Sequence, residues 1–187
     1  MKQAFVNCRV FDGDLVYTDR AVIVDDGDIV DVVADERAAS LADAVVDLEG
    51  LLLVPGLIDL QVNGGGGVLF NDAPTVESLR TIVAAHRPRG TTACLPTLIT
   101  DDPDTMRAAI AAVQEALEQG VPGIIGIHLE GPHLNPDRRG VHDASQMRGL
   151  DGKALELLCS LQGGHTLVTL APERVIGESI RQLTEHG

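Results

Sequence analysis

Two rhythms of apolar and polar residues divide the chain near residue 50. Before it, short β-rich runs alternate with Asp/Gly turns: AFVNCRVF, a DGD turn, then RAVIVDDGDIVDVVA. The DDGD between two Val/Ile runs is a hairpin signal. The one helical stretch here, DERAASLADA, is short and Ala-rich. The pattern predicts a small β-rich segment over residues 1–50.

From residue 51 the runs lengthen. LLLVPGLIDLQV is nearly continuous in apolar residues, as expected of a strand buried on both faces. A glycine loop follows, then TVESLRTIVAAHRPRG with helical spacing and a Gly stop. TTACLPTLI predicts a strand, DDPDTMRAAIAAVQEALEQG a helix opened by Asp and Pro, and GIIGIHLE a third strand. A long loop leads to the helical DGKALELLCSL, the strand HTLVTLAPE and the helical GESIRQLTEHG. Four βα units in series argue for an α/β fold with a parallel sheet and right-handed crossovers. An open doubly wound sheet and a (β/α)8 barrel both fit, and both gather chemistry at the carboxyl ends of the strands. Polar residues stand there: Asp59, Gln61 and Asn63; Thr97 and Thr100; His128 and Glu130; Glu173.

Composition narrows the class. With 44 % apolar residues and 2 % aromatics, the 187-residue chain can build a core, but an aliphatic one. No uninterrupted apolar run approaches a membrane span, and MKQAFVNCRVFDGD lacks a signal-peptide hydrophobic region. Cys8, Cys94 and Cys159 stand singly, as in a reducing cytoplasm, and form no C-x-x-C pair. A net charge of −14 repels nucleic acid and anionic membranes at long range. The acid excess, with lysine only at positions 2 and 153, is similar to that of cytoplasmic proteins of salt-loving archaea. An ordinary acidic bacterial protein is the alternative.

The candidate chemistry lies in GIIGIHLEGPHLNPDRRGVHD, residues 123–143, which holds three of the six histidines. His128-x-Glu130 has the spacing of zinc nucleobase deaminases, but the P-C-x-x-C that completes that signature is missing. EGPH is not a zincin motif, since the order is wrong and Pro132 opposes a helix. Two residues apart on a strand, His128 and Glu130 share a face, roughly 6–7 Å apart. His128, the deeper, reads as a hydrogen-bonded core residue, and Glu130 as either a strand-end acid in solvent or a group at the mouth of a site. Asp59 is either a partnered interior acid or a site residue. Arg138, Arg139 and His142 form a basic cluster: a solvated loop, or a cationic rim that receives an anion. NGGGGV lacks the helix-opening geometry of a nucleotide loop and reads as a flexible βα loop that allows close backbone approach to a ligand.

In order and spacing, VPGLIDLQVNGGGGVLFND, CLPTLIT, GIHLEGPHLNPDRRGVHD and VTLAPE closely resemble the N-acetylglucosamine-6-phosphate deacetylases of the amidohydrolase superfamily, from about residue 48 onward. The first fifty residues fit the β-rich segment that precedes the barrel in that family. The resemblance implies a partial (β/α)8 TIM-type barrel, its first four βα units over 51–187 after the β-rich segment 1–50. It also implies a divalent metal, zinc or iron, whose bound water attacks the N-acetyl carbonyl of N-acetylglucosamine 6-phosphate and releases acetate and glucosamine 6-phosphate. By residue match Glu130 is the metal-binding carboxylate, and Val141 and His142 lie in the loop that contacts the sugar. Gln61 and Asn63 occupy the H-x-H positions of relatives that carry two metals. Amides are poor ligands beside imidazole, so the match is to single-metal members.

The family's two metal-binding histidines and its catalytic aspartate lie beyond Gly187, so the resemblance implies no catalytic residue within the chain. The expectation is an N-terminal portion of a deacetylase, inactive alone. The alternatives are a non-catalytic remnant, a half-barrel subunit that pairs with a copy of itself or with a complementary C-terminal half, or another sugar or cyclic-amide amidohydrolase.

Overall fold

The computed structural model describes residues 1–186; Gly187, the end of the last expected helix, lies outside the described residues. Its contacts divide into two units, Met1–Pro55 and Gly56–Gly187.

In the first unit β1 (Lys2–Val6), β2 (Arg9–Phe11), β3 (Val16–Tyr17), β4 (Arg20–Asp25) and β5 (Asp28–Ala34) are followed by α1 (Asp35–Ala38), β6 (Ala44–Asp47) and β7 (Leu52–Leu53). They form a four-stranded sheet in the order β5-β4-β1-β6 and a three-stranded one, β3-β2-β7. The predicted DDGD hairpin joins β4 to β5, with positive φ at Asp26 (50°) and Gly27 (97°), as a two-residue turn matched to strand twist requires. AFVNCRVF, expected as one run, breaks at Asn7, where φ is 50°; its halves enter different sheets. The helix expected over DERAASLADA is held to a single turn.

The second unit holds β8 (Leu57–Val62), β9 (Gly64–Gly65), β10 (Val68–Leu69), α2 (Val76–His86), β11 (Thr91–Ile99), α3 (Pro103–Glu118), β12 (Gly126–Glu130), α4 (Gly152–Leu158), β13 (His165–Thr169) and α5 (Gly177–His186). Four strands pair in parallel in the order β13-β12-β11-β8. LLLVPGLIDLQV is therefore two strands and not one: Leu52 and Leu53 pair with β2 in the first unit, and Pro55-Gly56 separates them from β8. Proline cannot donate to a ladder, which is why the apolar run does not continue as a strand.

The helices start where side chains satisfy their first N–H groups. Thr75 Oγ1 accepts from Ser78 N at the head of α2. Asp102 Oδ1 accepts from Asp104 N (2.8 Å) and Thr105 N (3.0 Å) at α3, where Pro103 fills the first turn, and Asp151 accepts from Ala154 N at α4. α3 buries Met106, Ala109, Ile110, Val113 and Ala116, a stripe at helical spacing, against a core that includes Phe70, Leu79, Ile82, Leu98, Ile127 and Leu129. Fully burying each large aliphatic side chain contributes about 1.5–3 kcal/mol, so this cluster holds β11 and β12 rigidly in the middle of the sheet. At the β8 edge the apolar residues stay open: Leu57, Ile58 and Leu60 are 59 %, 61 % and 54 % exposed.

Candidate active site

Register places the polar residues. β11 and β12 align Thr97 with His128 and Ile99 with Glu130, and β13 sets Thr169 beside Glu130. Thr100, Glu130 and Gly131 therefore meet at one end of the sheet, where the carboxyl ends of the strands lie.

Position along one face of β12 separates depth from mouth. His128 is buried and lies between two hydroxyls, Nδ1 at 3.1 Å from Thr97 Oγ1 and Nε2 at 2.8 Å from Thr169 Oγ1. Burial holds its pKa below the ordinary imidazole value, with the Glu130 charge pulling the other way. His128 is thus a neutral bridge across three strands, as the core reading expects, and Thr97 belongs to that bridge inside the sheet, not to the mouth. Asp59, half-buried on β8, accepts from Gln61 N and sits in register with Cys94, whose thiol burial and the Asp59 charge push up to about 11. That thiol is not a nucleophile at neutral pH.

Glu130, about a fifth exposed, lies at the mouth. Its Oε2 accepts from Gln61 Nε2 at 3.1 Å, and its Oε1 lies 3.7 Å from His142 Nε2. On its other side the His142 ring places Nδ1 at 2.8 Å from Thr100 Oγ1. Thr100 Oγ1 also lies 3.4 Å from the Glu130 carbonyl oxygen. The loop after β12 returns His142 over the strand end and buries it, whereas Val141 beside it is 89 % exposed. Arg138 and Arg139 are exposed at the loop tip, so the expected basic cluster is divided: His142 turns inward to the carboxylate and the arginines face solvent.

Gly131 makes this closure possible. Its φ of +87° is in the region that favours glycine, its N–H donates to Thr169 O (3.0 Å), and a Cβ there would run into the Thr100 hydroxyl. The Gly131-Pro132 bond is cis. His133, unassigned from sequence, is buried with Nδ1 at 3.2 Å from Arg148 O; burial lowers its pKa too. Glu173 is exposed and accepts from Asn135 Nδ2 at 2.7 Å, tying the β13 end to the β12 loop.

Asn63, one residue beyond β8, is half-buried; its carbonyl accepts from Phe70 N, and Gln61 alone of the two H-x-H positions bonds Glu130. The glycine loop is not the open loop its composition suggests. β9 and β10 pair as a hairpin packed on α2, with His86 Nε2 at 2.9 Å from Gly64 O and no room for a side chain at Gly65. The close approach that the glycines permit is to this helix. Sequence reasoning missed Asn71, which clamps the end of β11: Oδ1 accepts from Ile99 N (3.0 Å), and Nδ2 donates to Ile99 O (3.2 Å) and Asp101 Oδ2 (2.9 Å). Its signal, an Asn after the hairpin, is indistinguishable from turn chemistry.

Residues 52–185 match the family described as the amidohydrolase family, and residues 3–53 match the NagA composite domain. The chain belongs to the amidohydrolase family. It is 53 % identical over 135 residues to an N-acetylgalactosamine-6-phosphate deacetylase of Shewanella sp. (strain ANA-3), covering 72 % of this chain and 34 % of that protein. It is 34 % identical over 173 residues to an N-acetylglucosamine-6-phosphate deacetylase of Haemophilus influenzae, covering 92 % and 45 %. A crystal structure of N-acetylglucosamine-6-phosphate deacetylase from Pasteurella multocida superposes with a TM-score of 0.93 at 33 % identity, covering all of this chain and 49 % of that one. The chain therefore spans half or less of the length of these relatives.

Amidohydrolases are generally metal-dependent, yet the described residues do not build a metal site. No three His, Cys, Asp or Glu side chains converge among them, and a catalytic site of this kind needs three protein donors. Glu130 offers one, and Gln61 turns its N–H groups, not its oxygen, toward that carboxylate. Among the described residues no helix is long and apolar enough to cross a membrane.

Proposed function

We propose that this amidohydrolase chain forms one wall of the active site of an N-acetylated amino-sugar 6-phosphate deacetylase. The substrate on this reading is N-acetylglucosamine 6-phosphate, whose amide bond is hydrolysed to acetate and glucosamine 6-phosphate. The observation that carries the reading is the Glu130 carboxylate held between Gln61 and His142 at the carboxyl ends of β8 and β12. Glu130 is the metal-binding carboxylate of this proposal, in a single-metal site for zinc or iron whose other donors come from outside the described residues. His142 and the exposed Val141 face the sugar, and Gln61 and Asn63 flank the metal position. The chain then corresponds to the first four units of a (β/α)8 barrel and does not catalyse alone.

The open β8 edge, with Leu57, Ile58 and Leu60 exposed, supports a partner that covers it: a complementary C-terminal half or a second copy. A non-catalytic half-barrel subunit or remnant rests on the same observation. Another sugar or cyclic-amide amidohydrolase with two metals is disfavoured, because Gln61 is committed as a donor to Glu130. The three free cysteines, two of them buried, fit a cytoplasmic setting, and an acid excess with side chains such as Asp26 90 % exposed fits high salt.

The 53 % identical relative raises the galacto epimer as a second substrate reading. Titrating the labelled chain with N-acetylglucosamine 6-phosphate, N-acetylgalactosamine 6-phosphate and acetate separates these. Shifts confined to Gln61, Thr100, Glu130 and His142 with one sugar phosphate support the reading; no shift with either contradicts it.

A further inference from the structure

We infer that the apolar groove beside β13 is the seat for the β8 strand of a second copy of this chain. The inference deepens the open-edge reading above by naming the occupant, and it does not depend on the substrate. Among the described residues β13 pairs only with β12 and β8 only with β11, so the four-stranded sheet ends in two unpaired edges. The groove along β13 has a volume of about 730 Å³. Leu158 and Leu161 line it from the end of α4, Leu167 and Val168 from the strand, and Ile180 and Leu183 from α5. In a parallel βα series the right-handed crossover lays each helix over the strand it follows and the next one. α5 follows β13, so its apolar side chains overhang the place of a fifth parallel strand.

That fifth strand needs large apolar residues on its outer face, and β8 has them. Gln61 reaches Glu130 at the mouth, so Asp59 and Gln61 face inward, and alternation turns Ile58 and Leu60 outward, where both are exposed. The rims agree in sign. Arg87 and Arg89 are exposed on the turn before β11, and Leu57 N donates to Gly90 O (2.9 Å) beside that turn, so the two arginines flank the start of β8. α5 returns toward the start of β13, since His186 shares the groove with Gly164, and it brings there the exposed Glu185 and the negative end of the helix dipole. A parallel joint sets this negative end beside the arginines. Two such joints, related by a twofold axis, use all four edges. They close eight parallel strands, with both Glu130 carboxylates at one mouth.

Light scattering of the chain in about 1 M salt tests this, because a screening length of roughly 3 Å removes the long-range repulsion between copies of net charge −14. Twice the mass of the chain is expected. Isotope-filtered spectra of mixed labelled and unlabelled chain are expected to place the Ile58 and Leu60 methyls of one copy against Ile180 and Leu183 of the other. Leu60→Lys alters a position already exposed, so the chain still folds, and a lysine on the edge opposes pairing. Its dimer dissociation constant is expected to rise at least about tenfold, the scale of one anchor lost from an interface, whereas Ala111→Lys on the exposed face of α3 stays within about twofold of wild type. A monomer at every concentration, growth past two copies, or a dimer without those contacts between copies overturns the inference. So does a monomer that instead takes up the C-terminal half of a related deacetylase. Each of these results leaves the Glu130 reading standing, since acetate release, not association, decides that.

Discussion

Gln61 Nε2 donates to Glu130 Oε2 across 3.1 Å, joining β8 to β12 over the intervening strand β11. The amide is a neutral strut: it fixes one carboxylate oxygen and leaves the other toward His142. Replacing it by a second carboxylate turns the strut into a repulsion. Gln61→Glu is expected to lower the melting temperature at pH 7 and to recover toward wild type near pH 4, where one acid of such a pair is protonated. Gln61→Ala, which removes one partly exposed bond, costs about 1 kcal/mol or less. Parallel thermal melts at the two pH values check this; equal losses for Gln61→Glu at both contradict it.

Acidification acts through two buried rings. His128 and His133 are both held below the ordinary imidazole value of 6.5 by burial. The unfolded chain thus binds protons that the folded chain does not, so their contribution is complete above about pH 6.5 and is lost as pH falls below it. The carboxylates depressed by backbone donors, Asp102 among them, lose their contribution only as pH falls through their lower range, below the ordinary 3.8. Urea unfolding between pH 7.5 and 5 should show a decline that His128→Asn reduces. A flat profile across that window contradicts the burial of neutral rings.

The closure over Glu130 depends on Gly131 and Asn71. Gly131→Ala forces a side chain into a left-handed backbone and against Thr100, at a cost of about 1–3 kcal/mol. Asn71→Ala leaves the Ile99 N–H and C=O without their clamp, at a similar cost of about 1–3 kcal/mol. Both should broaden the His142 resonances while leaving those of the β-rich first unit unchanged. Unaltered stability in either variant contradicts the account of the closure.

How much of this was legible in the sequence follows the range of the interactions. The four parallel strands and four helices of the second unit could be read, though not the β9–β10 hairpin, because buried apolar runs and capping residues such as Asp102, Pro103 and Asp151 are local signals. His128 as a core residue followed from its deeper place on the strand face it shares with Glu130, while the sequence left Glu130 as either a strand-end acid in solvent or a group at the mouth. What escaped depends on contacts distant in sequence. LLLVPGLIDLQV looked continuous because composition does not show that Leu52 and Leu53 pair with β2. The basic cluster divided because the loop folds His142 back onto Thr100, forty-two positions away. Asn71 escaped for the same reason: its partners are Ile99 and Asp101, and no spacing announces them.

Charge gives a prediction independent of the site. At a net −14, unscreened self-repulsion opposes the folded state. Raising salt from about 0.1 M to 1 M shortens the screening length from roughly 10 Å to 3 Å, and the melting temperature is expected to rise by several degrees. Full stability in dilute buffer with no salt response counts against a high-salt setting.

The central claim is that Glu130 is the metal-binding carboxylate of a deacetylase wall. The most direct test replaces the corresponding half of a related deacetylase with this chain and measures acetate release from N-acetylglucosamine 6-phosphate and its galacto epimer with zinc or iron. The account predicts that the isolated chain releases none, that the chimera releases acetate, and that Glu130→Gln in the chimera reduces the rate at least a hundredfold, to the scale seen when an essential catalytic interaction is removed (about 10²–10³). A Glu130→Gln chimera as active as its parent contradicts it.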